Sequence, residues 1–207
     1  MDMKAVAAAV LLLAAATGGC AASADGGTPA PPPAEAAEAA EATQPTQATQ
    51  DASAEAGPGG LSPTDLAWVQ LMMPMDDQIG GMLALAPERA ADPGVRKLAA
   101  RLAPDCASEL DRLRTLFRRT GLPETNVHEG HDMPGMLNPE EQRALRAATG
   151  PEFDQLVLRN LREYLEQSAR LAQSEQQAGG DAAVRALAGS IGQARPAQLA
   201  ALDRAGG

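Results

Sequence analysis

Asp92-Pro-Gly-Val-Arg-Lys-Leu-Ala99 and Asp181-Ala-Ala-Val-Arg-Ala-Leu-Ala188 share the pattern D-x-x-V-R-x-L-A, 89 residues apart. At the same offset, residues 64 to 115 overlay 153 to 204 without gaps. Four further identities are Asp65/Asp154, Gln78/Gln167, Leu110/Leu199 and Leu113/Leu202. Compositional bias would scatter matches, whereas these cluster, so the segment marks a duplicated unit. Each unit reads as a long helix, a break at Asp92-Pro93-Gly94 or Gly179-Gly180-Asp181, and a second helix that Asp92 or Asp181 caps. Two such αα-hairpins pack most simply as a four-helix bundle.

The first helix of the first unit carries the chain's least ordinary residues. Ser62-Pro63-Thr64-Asp65 is a capped start, with Ser as N-cap, Pro at the first helical position and Asp closing a capping box. The stretch from Asp65 to Met82 then reads as an amphipathic helix containing Met72, Met73, Met75, Asp76 and Met82. Met72, Met75 and Met82 share a face, because spacings of three and seven coincide at 3.6 residues per turn. Such a stripe is core filling in the plain reading and, with Asp76, a ligand set in the sharper one. Pro74, Pro87, Pro104 and Pro196 fall inside helical patterns and are expected to kink or interrupt them. Between the hairpins, Gly121 to Asn138 reads as a connector. A short helix starting at Asn138-Pro139-Glu140-Glu141 follows it, and the third long helix begins at Pro151-Glu152-Phe153-Asp154.

Outside the bundle the chain changes character. Residues 1–19 read as a signal peptide: Lys4, a twelve-residue apolar run from Ala5 to Ala16, and small residues ahead of Cys20. This layout resembles the bacterial lipobox, which implies lipidation of Cys20 (a palmitate-bearing anchor) and a membrane contact through that lipid. Thr17 departs from the pattern. Cleavage after Ala22-Ser23-Ala24 would instead give a secreted chain, and both routes place it outside the cytoplasm. Residues 20–60 form an Ala/Pro/Glu-rich tether with six acids and no base. Without a Leu, Ile, Val, Met or aromatic side chain to offset ordering entropy, it is expected to be disordered, with a span on the order of 35 Å.

The bundle domain is assigned to 61–207, with repeat 1 at about 62–119, the connector at about 120–150 and repeat 2 at about 151–205. Only four aromatic residues occur in 207, which favours helices over strands. The formal charge of −10 argues against a nucleic-acid partner.

Several motifs now carry a resemblance. D-x-x-W-V-x-L-M-M-P-x-x-x-Q-x-x-x-M from Asp65, G-P-E-F-D-x-x-V-L-x-x-L from Gly150 and the linking G-H-D-M-P-G-M-L-N-P-E-E are similar to the bacterial domain of unknown function 305 family. The resemblance covers about residues 61 to 205. It implies an all-α, ferritin-like four-helix bundle exported to the cell envelope, with copper binding in some members. The family's paired histidines would fall at Met75-Asp76 and Tyr164-Leu165, and all four are absent. Tyr164 and Leu165 therefore read as bundle filling, and Cys106 as a structural core residue.

The chain's two histidines lie in Val127-His-Glu-Gly-His-Asp-Met-Pro-Gly-Met136. Imidazole with thioether suits copper, especially Cu(I), so His128, His131, Met133 and Met136 are the candidate metal ligands. Met72, Met75 and Asp76 form the lesser candidate set. Catalysis is not expected. No Glu-x-x-His di-iron motif occurs, no core histidine can act as a base, and no phosphate loop follows a strand. The expectation is non-catalytic metal binding, copper first, in an envelope lipoprotein. The alternative is a structural or protein-interaction module that has lost the metal site.

Overall fold

The computed structural model describes residues 56–206. The signal peptide, Cys20 and the tether up to residue 55 lie outside the described residues. Five α-helices occur among the described residues: α1 (Pro63–Arg89), α2 (Pro93–Arg118), α3 (Pro139–Ala147), α4 (Gly150–Ala178) and α5 (Ala182–Ala205). There is no strand among them, only one isolated bridge from Ala90 to Gly150. None of these helices is long and apolar enough to cross a membrane.

Four of the five starts follow from a side-chain cap, and α4, behind Thr149, has none. The Ser62 hydroxyl accepts from Asp65 N while Asp65 Oδ2 accepts from Ser62 N, so the expected box is complete. Asn138 and Glu141 build the same box at α3. Asp92 and Asp181 each accept from backbone N–H groups two and three residues on, and α4 starts at Gly150. The prolines do not interrupt their helices: α1 runs through Pro74 and Pro87, α2 through Pro104, and α5 through Pro196. Each removes one backbone donor, and burial of the surrounding helix face outweighs that loss.

α1 packs along α2 and α4 along α5, while the hairpins meet α1 to α4 and α2 to α5. The helices therefore surround the core in the order α1, α2, α5, α4. This is the four-helix bundle of two hairpins read from the sequence. α3 and the connector lie outside that ring. Pro58–Gly60, placed in the tether by sequence, forms a short 3-10 turn against the end of α2. Gly59 permits this with φ of +68° and an approach that would put a Cβ 2.5 Å from the Arg119 carbonyl carbon. The connector docks too. At Gly135, φ +79°, a Cβ would sit 2.9 Å from Gln167 Cβ and 3.0 Å from Met75 Cε.

The matched aspartates tie the hairpins together at both ends. Asp65 on α1 accepts from Gly180 N at 2.9 Å and from Asp181 N, at the start of α5. Asp154 on α4 accepts from Asp92 N at 2.8 Å, at the start of α2. Each hairpin's first helix thus clamps the break in the other, which accounts for both repeated pairs at once. Asp65 also closes its own helix cap, so more donors depend on it. Asp65→Ala is expected to destabilise the bundle by about 2–4 kcal/mol and Asp154→Ala by about 1 kcal/mol in urea unfolding.

Candidate functional site

Two places in the bundle concentrate polar chemistry. The first is its centre. The stripe Leu102, Cys106, Glu109, Leu113 on α2 faces Ile191, Arg195, Gln198, Leu202 on α5, each at helical spacing and each largely buried. Arg195 is 2% exposed and spends its whole guanidinium. Nη1 and Nη2 donate to the two Glu109 carboxylate oxygens at 3.1 and 2.7 Å, and Nη1 also donates to Gln198 Oε1 at 2.7 Å. Nε donates to Ser168 Oγ at 2.8 Å, and Nη2 to Tyr164 Oη at 2.9 Å. The guanidinium carbon also stands 5.0 Å from the Tyr164 ring centre. The Tyr164 hydroxyl donates in turn to Asp76 Oδ1 at 2.6 Å, and the Cys106 thiol donates to the Asp76 backbone carbonyl at 3.1 Å.

Tyr164 is thus more than filling; it relays between an arginine and a buried aspartate. Cys106 is free, buried and structural, and burial pushes its thiol far above the usual range. At the 89-residue offset Cys106 corresponds to Arg195, Glu109 to Gln198, Met75 to Tyr164 and Asp76 to Leu165. The two copies have diverged into complementary halves of one network. The sequence did carry a signal for it: charged residues interrupting apolar stripes on two corresponding helices.

The charge balance at this centre is uneven. One guanidinium faces two carboxylates and is bidentate to Glu109. Burial, then the Glu109 charge, raises Asp76 to about 8, against the opposing Tyr164 hydrogen bond and Arg195 charge. Asp76 Oδ2 has no partner, as suits a protonated carboxyl with no acceptor in reach. At the α4–α5 junction Glu175 is raised to about 8 by burial first and then by the neighbouring Asp65 carboxylate, and neither Glu175 oxygen has a hydrogen-bond partner. Both groups are protonated in the fold and ionised in the unfolded chain between about pH 4 and 8. The native state binds more protons there, so stability falls as pH rises through that window. Urea midpoints should be higher at pH 5 than at pH 8. Asp76→Asn, which mimics the protonated acid, should flatten that slope, and adding Glu175→Gln should flatten it further. Arg195→Met strands Glu109 inside and should cost about 3–5 kcal/mol in the same measurement.

The second place is the connector, which walls a cleft of about 590 Å³ with α1, the end of α2 and α3. Polar contacts pin it at both ends. Arg114 donates to Glu124 in the connector and to Asp77 on α1. Leu137 N donates to Gln78 Oε1, and the Leu137 carbonyl accepts from Gln142 Nε2. His128 N donates to Asn126 Oδ1 and His131 N to the His128 carbonyl, forming a turn that brings both imidazoles to the cleft. Their ring centres are 6.1 Å apart, with planes at 69°. Burial, then the His131 charge, lowers the His128 pKa and favours its neutral, ligating form.

Of the other candidate ligands, Met136 is buried and lines the cleft with His128 and His131. Met133 is half-buried and packs on the core. Met73, outside both candidate sets, also lines the cleft. Met72, Met75 and Asp76 are fully buried in the bundle, and Asp76 is engaged by Tyr164. Among the described residues no three His, Cys, Asp or Glu side chains converge as a metal cage. The donor set in the cleft is therefore two imidazoles with thioether, which fits a soft, low-coordinate ion and does not fit a tetrahedral zinc centre.

A family model described as "Domain of unknown function (DUF305)" matches residues 65–205. A crystal structure of a DUF305 protein from Streptomyces coelicolor, described as secreted, is similar with a TM-score of 0.59 and 19% sequence identity. The alignment covers 67% of this chain and 89% of that one. At that identity the likeness shows the fold. No curated protein matches the chain.

Proposed function

We propose a binding rather than a catalytic role for this chain, which belongs to the DUF305 family. Its ligand in this proposal is a soft metal ion, Cu(I) first, held by His128 and His131 at the connector cleft with thioether support from Met136. The observation that supports this is the pair of imidazoles 6.1 Å apart at ring centres. Two imidazoles sharing one ion at nitrogen–metal distances of about 2 Å place their ring centres about 5–6 Å apart. The pair sits in a turn already pinned to the bundle, so little ordering is required on binding. Met133 is the remaining ligand candidate and would have to turn from the core to take part. Bound copper would contribute a redox-capable centre, while the chain's residues bind and orient it.

The leader supports an exported, lipid-anchored location through Cys20, with secretion as the alternative. A second reading, a structural or interaction module without metal, is favoured by one observation. The positions where the family's paired histidines would fall are occupied by the Asp76–Tyr164 bond and its surroundings.

Competition of the purified protein with a chromogenic Cu(I) chelator separates the two. The metal reading expects binding well above that of free methionine. It also expects losses of roughly tenfold or more in His128→Ala with His131→Ala, and a smaller loss in Met136→Leu. Affinity no better than methionine's would sink it and leave the module.

A further inference from the structure

The cleft beside the connector holds chemistry that its histidines do not use. Its volume of about 590 Å³ falls in the range of small-molecule sites, roughly 300–1,000 Å³. Met73, Phe117 and Leu137 give it an apolar floor. On α3, Arg143 and Arg146 line it, both exposed, and neither guanidinium has an acidic partner among the described residues. Pro74 on the α1 wall supplies no N–H, so the carbonyl of Gln70, a residue that also lines the cleft, lacks its helical donor. Glu129 adds an unpaired carboxylate from the connector.

The cleft thus combines free cations from one element, an orphan acceptor and an acid from two others, and an apolar surface. We propose that it binds a zwitterionic ligand of dipeptide size with apolar side chains. The ligand's carboxylate is held by Arg143 and Arg146, and its side chains lie on Met73, Phe117 and Leu137. Its ammonium group donates to the Gln70 carbonyl and pairs with Glu129. A plain fatty acid would leave the acceptor and the acid unanswered. A phosphate-rich ligand would meet Asp77, Glu124 and Glu129. The proposal goes beyond the metal reading: it shares the cleft and uses none of the candidate metal ligands.

The test is calorimetric titration of the protein with Leu-Leu, Phe-Leu and Met-Leu, and with their N-acetylated and C-amidated forms. At least one free dipeptide is expected to bind with a Kd of about 1 mM or tighter. Each cap should weaken binding several-fold. Arg143→Gln with Arg146→Gln, both at exposed positions and with the melting curve recorded as the check on folding, should weaken it tenfold or more. His128→Ala with His131→Ala should bind dipeptide as before, so failure of the metal reading leaves this result intact. The proposal is overturned if none of the three free peptides binds at about 10 mM, or if capped forms bind as tightly. Undiminished binding in the arginine variant, or binding lost with the histidines, overturns it equally.

Discussion

One buried guanidinium organises the centre of this bundle. Arg195 reaches Glu109 on α2 and Tyr164 and Ser168 on α4, and through Tyr164 it reaches Asp76 on α1. All four long helices therefore converge on one cation. An ion pair this deep gives little net stability over an apolar substitute, because both charges lose their water. Its effect is on alternatives: any shift of α5 along its axis leaves a charge unpaired in a dry interior. The register of the bundle depends on that penalty, and the protonated Asp76 keeps the interior from holding a surplus anion.

Duplication explains how such a network arose from a symmetrical start. The positions that meet at the centre are the same positions in the two copies, brought together where α2 packs on α5 and α1 on α4. Once one copy carries a cation at Arg195, corresponding residues are free to become its partners. Cys106 opposite Arg195, and Glu109 opposite Gln198, are the outcome. The ends of the bundle show the contrary behaviour. Asp65 and Asp154 perform the same task for opposite hairpins, so both copies keep the same residue.

The legible parts of the sequence were those governed by local rules. Ser62, Asp92, Asn138 and Asp181 cap helices through neighbours within three residues, and each was readable as such. The repeat gave the hairpins, and the hairpins gave the bundle. The prolines do not interrupt their helices, because burial of a whole helix face outweighs one missing donor at Pro74 or Pro196. The part Tyr164 plays is not legible locally, for a different reason. Its role depends on Asp76, 88 residues away, and on Arg195 of another helix, and no local pattern announces that meeting. The two imidazoles were visible as residues, while their separation was set by Asn126 and by the contacts at Glu124 and Leu137 that pin the connector.

The reciprocal aspartate clamps have a mechanical consequence. Tension applied to the chain ahead of α1 meets the Pro58–Gly60 turn packed on the end of α2, and beyond it Ser62 and Asp65. There it meets the hydrogen bonds to Gly180 and Asp181, so the load passes directly to the junction of α4 and α5 rather than peeling α1 from α2. A single carboxylate at Asp65 thus acts as the coupling through which the bundle resists force as one body.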